Sequence, residues 1–499
     1  MKSMKAPVST LLLIGALSIA MTACSDTPTQ TGSEDNQNTE TIPAETTQYI
    51  PELHEINREN AVLTTEMPDL GGLTINVLHS RTKIDAQDVV GDADGDIVDV
   101  SVYERNLWLE ELLNITWNPI SVADTTYDTV QEFTKTIVAA EDIYDLASVH
   151  QGYTVKKVAE GYFVNLKDDA YIDWEKPWWD TEYMDEISVG DQNRYFLQGD
   201  ISLMRMKSLS CMYYNKQLCA DLYEDADYMY EVVLDGKWTF DLFSKMTKDV
   251  YSDVNGNGQA DKGDRFGAFV TCGKSVEHLF HASGVYVTEK NKDGIPEIIV
   301  NNDRAANFSE KIFDFYYNNI GVTMGNDDAY PEEVKGFING EYFFAPLWFR
   351  QAEELRDMDT DYGIICYPKY AEEDQHTTLV HDGTTIFCVP VTSDTTDKIG
   401  AVCEAMAYYN YKNCTPAYFE VALKVKYTRD TLASQVVDLI SDSAYTNFGY
   451  VYYPNLNGLD FRKLMSSKNN NFASWYAKYE KAGTKGLNSV IEAYMNADT

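Results

Sequence analysis

The chain has 499 residues, 44% of them hydrophobic and 24% charged, proportions that fit a soluble globular protein of about two or three domains. Against 40 Lys and Arg stand 79 Asp and Glu, a net charge of −39, and such a field repels nucleic acid and any lipid surface bound by charge alone. The 35 Tyr, 20 Phe and 8 Trp are more rings than a core needs, which leaves some for a binding surface.

Lys2 and Lys5 precede an apolar stretch from Leu11 to Ala20, and Met21-Thr22-Ala23-Cys24 follows it. A charged start, a short apolar centre and small residues at the end describe an export signal over residues 1–23. The apolar run falls short of the roughly 20 residues that span a bilayer. Cys24, after two small residues, resembles the end of a bacterial lipobox, with Met21 where Leu is commoner. That resemblance implies cleavage before Cys24, its acylation, and attachment to the lipid bilayer on the extracytoplasmic face of the cell membrane. The alternative is an ordinary signal peptide with an incidental cysteine. Residues 24–48 are rich in Thr, Ser, Asn, Gln, Asp and Glu, with Pro28 and Pro43, and read as a disordered tether.

From residue 73 the pattern alternates between β-like runs and amphipathic helices. Leu73–Leu78 reads as a strand, Val102–Asn114 as a helix and Ile115–Val122 as a strand. Tyr127, Val130, Phe133, Ile137 and Val138 mark a second helix, Tyr144–Val149 a third strand and Tyr153–Glu160 a short helix. This βαβαβ order predicts a parallel sheet covered by helices. Asp173–Asp180 (DWEKPWWD) breaks the pattern, and Cys211–Asn215 starts a further strand. Helices are expected at Thr239–Tyr251 and Ala305–Asn318, strands at Tyr342–Pro346, Tyr362–Tyr367 and Thr385–Val391, and helices from Asp397 onward. The cysteines after Cys24 are Cys211, Cys219, Cys272, Cys366, Cys388, Cys403 and Cys414, an odd number without any C-x-x-C, and they read mostly as buried free thiols, with one or two disulfides as the alternative in an exported protein.

Several stretches together resemble the extracellular solute-binding proteins of bacterial ABC transporters, of the large carbohydrate-binding, family 1-like type. They are Val102-Tyr103-Glu104-Arg105-Asn106, Lys176-Pro177-Trp178-Trp179-Asp180, Tyr213-Tyr214-Asn215-Lys216 and Gly236-Lys237-Trp238-Thr239-Phe240. Asp361-Tyr362-Gly363-Ile364 with Pro368-Lys369, His381-Asp382-Gly383, and Lys424-Val425-Lys426-Tyr427 with Arg429-Asp430 complete the series. The resemblance implies an α/β, two-lobed periplasmic-binding-protein-like fold (type II), with a ligand cleft between lobes and a helical C-terminal region. Lobe 1 is expected over residues 73–170 plus about 340–395, and lobe 2 over about 171–339 plus 396–499. It further implies a monomer that captures an oligosaccharide by hinge closure and hands it to an ABC importer permease. An exported carbohydrate-active enzyme, and a same-fold receptor for peptide or another solute, stay open as alternatives. A peptide or anionic ligand would need Arg81, Arg205 or Arg350 aimed into the cleft.

In open α/β sheets, ligands lie beyond the carboxyl ends of the strands. That rule selects His79 and Arg81 after the first strand, Asp124 after the second, and Gln151 and Tyr153 after the third. Trp178, Trp179 and Trp348 supply flat rings for the CH faces of a sugar, and Arg350, His381 and Asp382 supply hydrogen-bonding partners for its hydroxyls. Separately, Asp253, Asn255, Asn257, Gln259, Asp261 and Asp264 follow the spacing of an EF-hand loop, with Gly258 at the sixth position and Asp264 where Glu is usual. They predict a weak structural calcium site, against the plain reading of a solvated Asn/Asp/Gly turn. His278 and His281 form half a zinc motif without a third ligand, and no motif of a hydrolase or nucleotide-binding enzyme occurs.

Overall fold

The computed structural model describes residues 57–190, 193–326, 330–419, 431–468 and 470–497. The export signal, Cys24, the tether and the stretch from Lys424 to Asp430 lie outside the described residues. Strand β1 (Leu73–His79) alternates before it becomes wholly buried from Val77 onward. Helix α1 (Ile97–Leu113) begins earlier than its apolar spacing suggests, because Asp96 caps it. The Asp96 carboxylate accepts from the N–H groups of Val98 and Asp99, and the Asp99 carboxylate accepts in return from the Asp96 N–H. Asn114, in the left-handed region at φ 52°, ends the helix and turns the chain into β2 (Ile115–Ser121), parallel to β1. Helix α2 (Thr126–Val138), capped by Thr125, buries Val130, Phe133 and Ile137. Strand β3 (Leu146–His150) then pairs parallel with β1 on its other side. The βαβαβ unit is present as expected.

Further along come β4 (Ser210–Asn215), α3 (Phe240–Val250), β5 (Phe266–Thr271), α4 (Lys274–Ala282), the ribbon β6 (Thr288–Lys290) and β7 (Pro296–Ile298), and α5 (Asp303–Asn318). After these lie β8 (Val322–Gly325), α6 (Tyr330–Ile338), β9 (Tyr342–Trp348), β10 (Tyr362–Ile365), β11 (Thr378–Leu379), β12 (Thr385–Cys388) and α7 (Ile399–Tyr409). The chain ends with α8 (Thr431–Asp442), β13 (Ala444–Tyr445), α9 (Phe461–Ser466) and α10 (Phe472–Ala497). Two main sheets result: four strands in the order β12-β3-β1-β2, and five in the order β10-β4-β9-β5-β8.

The division between lobes departs from expectation in two places. Strands β9 and β10 belong to the second sheet, so the return to the first sheet comes between β10 and β12 and not near residue 340. The reason is burial: every residue of Tyr342–Trp348 is buried, and a strand apolar on both faces takes a central place, here between β4 and β5. The C-terminal helices also divide. Ile399, Val402 and Met406 of α7 share a core with Ile75, Val77, Leu109 and Leu113 of the first sheet and its helix. Helix α8 packs on β10 and α9 on α4, while α10 lies against both α5 and the turn Val155–Glu160 that follows β3. All seven described cysteines are free and all but Cys272 are buried. Among the described residues no helix is long and apolar enough to cross a membrane.

Candidate functional site

The parallel strands β1 and β3 end at one edge of the first sheet. Because β12 runs antiparallel to β3, its entry, Asp382–Thr384, arrives at the same edge. The Gln151 N–H donates to the Thr384 carbonyl at 2.9 Å and the Gly152 N–H to the Asp382 carbonyl at 3.2 Å. The His381 N–H donates to the Ser208 carbonyl, just before β4, at 3.0 Å, which ties this edge to the second sheet. There β9 delivers Trp348 and Arg350, and α4, leaving β5 after a two-residue turn, delivers Lys274, Glu277 and His278.

These groups meet. The Trp348 ring lies 4.7 Å from that of His381 and 5.9 Å from that of His278, and the two imidazoles are 6.0 Å apart. On the first-sheet side His150 stacks on Tyr153 at 4.2 Å, and Tyr183 donates its hydroxyl to Gln151 Oε1 at 2.9 Å. The Gly383 N–H donates to His381 Nδ1 at 2.9 Å, which leaves the His381 proton on Nε2, 3.4 Å from Asp382 Oδ1. Arg462 of α9 approaches Asp382 and Glu277, each at 3.5 Å, and stacks over Tyr453 at 4.2 Å.

Burial sets the protonation of these groups. It pulls His278 and His381 well below the ordinary imidazole range, helped at His381 by Arg350, Lys274 and Arg462 and at His278 by its neighbouring histidines. His150 is lowered by burial too, with Asp382 and Asp85 opposing. All three are neutral at pH 7. The same desolvation pushes Glu277 up to about 8, although Arg462 pulls the other way, and raises Glu333 of α6 well above the carboxylate range. Several buried polar atoms here have no hydrogen-bond partner: Gln151 Nε2, His278 Nε2, Trp348 Nε1 and Glu333 Oε1. A buried polar atom left so costs about 1–3 kcal/mol. Donors and acceptors from both sheets thus meet with hydrogen-bonding capacity to spare.

The sequence-selected residues divide accordingly. Gln151, Tyr153, Trp348, Arg350, His381 and Asp382 come together. Arg81 and Asp124 lie at the same strand edge, but there they form an exposed ion pair at 3.1 Å, and His79 is buried with its Nδ1 2.7 Å from the Ser80 carbonyl oxygen. Trp178 and Trp179 are core instead, 1% and 5% exposed. Trp178 packs on Tyr408 and Tyr411, and Trp179 donates its Nε1–H to Glu404 at 2.7 Å. With Asp180, Asp200 and Arg205 they border a separate cavity of about 370 Å³, in which Arg205 is paired with Asp180. Lys274, Glu277, His278 and Arg462 went unselected. The strand-end rule reaches Lys274 once β5 is recognised, but Phe266-Gly267-Ala268-Phe269 after a glycine-rich loop carries little strand signal. Nothing in the local sequence marks Arg462.

The calcium-type loop folds around its own side chains. Asp253 accepts from the N–H groups of Gly256, Asn257 and Gly258 at 2.6, 3.2 and 2.8 Å, and Asp264 accepts from those of Val254 and Asp261 at 3.1 and 3.2 Å. The amides of Asn255 and Asn257 donate to Asp261, both at 2.8 Å. Gly256 and Gly258 take positive φ of 71° and 76°, which the reversal requires. Among the described residues the one group of three carboxylates whose oxygens lie within 4.8 Å of one another is Asp142, Asp145 and Asp394, not this loop.

No protein-family model and no curated protein matches the chain. Solved structures do. An ABC substrate-binding protein of Listeria monocytogenes, in complex with cycloalternan, is 13% identical with a TM-score of 0.51 over 84% of this chain and 98% of that one. A cyclo/maltodextrin-binding protein complexed with maltotetraose is 12% identical with a TM-score of 0.54, covering 87% and 98%. UspC of Mycobacterium tuberculosis is 12% identical with a TM-score of 0.55, covering 83% and 100%. At such identities the likeness is one of fold, and across nearly the whole length of those proteins this chain has the two-lobed α/β fold of ABC-transporter solute-binding proteins.

Proposed function

We propose that the protein is an extracytoplasmic receptor that takes a carbohydrate between its two sheets and delivers it to an ABC importer. One observation carries the reading: aromatic and polar side chains from both sheets meet in a buried cluster whose Trp348, Gln151, His278 and Glu333 atoms lack partners. A sugar offers CH faces for rings and hydroxyls that both donate and accept, so it suits those groups together. Because Gln151 and Tyr153 belong to one sheet and Trp348 and Arg350 to the other, a ligand touching all four favours the closed arrangement of the lobes over an open one. The neighbours of this fold are binding proteins, in line with a role without catalysis. Acylation at Cys24 would hold the receptor at the membrane by residues 24–48, and calcium at Asp253–Asp264 would be structural.

Thermal unfolding of the full chain against a panel of oligosaccharides, with calcium and with chelator, tests this. A ligand at a hundred times its Kd adds about 2.7 kcal/mol, and the midpoint should rise accordingly without any release of reducing sugar. Hydrolysis would sink the receptor reading, and a midpoint unmoved by chelator would sink the calcium reading.

A further inference from the structure

Three imidazoles from separate segments meet where the two sheets are joined. His150 ends β3 of the first sheet, His278 lies on α4 after β5 of the second, and His381 sits between β11 and β12. Gly383 lies between two of the rings: a methyl there would fall 2.7 Å from His381 Nδ1 and 3.5 Å from His150 Nε2. His278 and His381 are 6.0 Å apart, and the Trp348 ring faces both, at 5.9 and 4.7 Å.

In this arrangement none of the three is placed to carry a second ring proton. An imidazolium needs an acceptor or water at both nitrogens. His381 Nδ1 accepts from the Gly383 N–H at 2.9 Å, so a proton on it would set donor against donor. His278 Nδ1 meets the Tyr367 hydroxyl at 3.2 Å, but its Nε2 is buried without a partner, as is His150 Nδ1.

The charges in reach weigh the same way. Arg350, Lys274 and Arg462 face His381, Arg462 also faces His278, and Arg350 also faces His150. Against them stand two carboxylates. Asp382 lies 3.4 Å from His381 Nε2 and within reach of the other two rings, but it is shared with Arg462 at 3.5 Å. Asp85 faces His150 and already accepts from Ser80 and Thr82, at 3.0 and 2.6 Å. Of the remaining titratable neighbours, Glu277 faces Arg462 at 3.5 Å, Glu333 faces Lys274, and His281 faces His278.

We propose that His150, His278 and His381 form a proton-operated latch: neutral, they keep the two sheets together, and protonated, they part them and release the solute. This regulates the proposed carbohydrate site and rests on that reading. The protons are taken up in the parted form, where water solvates each nitrogen. A histidine that ionises near 6.5 only there tilts the balance toward parting by about tenfold for each pH unit below that value. The closed arrangement is thus favoured above pH 6.5 and is lost progressively as pH falls.

Small-angle scattering of the ligand-free full chain between pH 7.5 and 5.0 tests the latch. The radius of gyration should rise as pH falls, with circular dichroism showing that the fold persists. His278→Gln and His381→Gln, which cannot take the proton, should each shrink that rise, and the double variant should lose most of it. A second reading needs no variant: with carbon-13 in the histidine rings, three of the seven imidazoles should protonate together with the change in radius. A constant wild-type radius, an equal rise in the double variant, or a rise without imidazole protonation would overturn the latch. None of these touches the receptor reading, which the oligosaccharide panel at pH 7.5 decides. If the radius responds and no oligosaccharide binds at pH 7.5, the receptor reading falls and the latch stands as a conformational switch.

Discussion

His281 is buried on α4 with its Nδ1 2.7 Å from the Glu277 carbonyl oxygen, and burial pulls its pKa from the ordinary 6.5 to about 4. In the unfolded chain this histidine takes a proton near pH 6.5, whereas in the folded protein it resists until about 4. Its contribution to stability is therefore complete above pH 6.5 and is lost as pH falls toward 4, by up to about 3 kcal/mol. Glu277, raised from 4.5 to about 8, has the opposite sign: the folded state keeps a proton that the unfolded state loses above 4.5, so stability declines as pH rises through that window toward 8. Denaturant unfolding between pH 4 and 8 should show His281→Gln flattening the acid limb and Glu277→Gln flattening the neutral limb. Limbs that keep their slopes in the variants would refute the assignment. At this scale, too, lies the difference between Trp348, ringed by His278, His381, Arg350 and Lys274, and Trp178, packed on Tyr408 and Tyr411. Each is a tryptophan in an apolar stretch of sequence, and only its neighbours in space tell the two apart.

Local chemistry places the elements closely where a cap or a glycine specifies them. Replacing Asp96 by Ala removes the acceptor for two N–H groups at the start of α1 and should cost about 1 kcal/mol in chemical denaturation. Gly267 illustrates a tighter constraint. A methyl built there would fall 2.1 Å from the Thr247 carbonyl oxygen, because α3 crosses β5 at that point, so Gly267→Ala must push helix from sheet. We expect about 1–3 kcal/mol of destabilisation, read as a lowered midpoint at unchanged m-value. A variant as stable as wild type would mean that α3 does not press on β5. Since β5 leads straight into α4, the same displacement should shift His278 and weaken binding of the proposed carbohydrate more than Asp96→Ala does.

For the molecule as a whole, the crossovers join two sheets whose strand ends supply one cluster, and under the receptor reading proposed above closure of the lobes is the motion to test. The chain passes to the second sheet before β4, returns between β10 and β12, and continues into α7 on the first-sheet core and α8 to α10 beyond it. A bound ligand that stabilises the protein should also reduce its radius of gyration in solution scattering. Stabilisation at constant radius would show that the ligand sits on one lobe alone.

The sequence by itself determined the βαβαβ unit, the α1 and α2 faces, most strand positions and six members of the cluster, because hydrophobic period, caps and the strand-end rule act over a few residues at a time. It also marked Asp253–Asp264 as a calcium-type loop, and the fold shows Asp253 and Asp264 accepting from that loop's own backbone. Tertiary structure alone decided that β9 and β10 join the second sheet, that Trp178 and Trp179 are core, and that Lys274, Glu277, His278 and Arg462 join the cluster around Trp348 and Asp382. The physical reason is that sheet membership and burial depend on which distant segments arrive alongside. Arg462 is 80 residues from Asp382 in the chain and 3.5 Å from it in the fold.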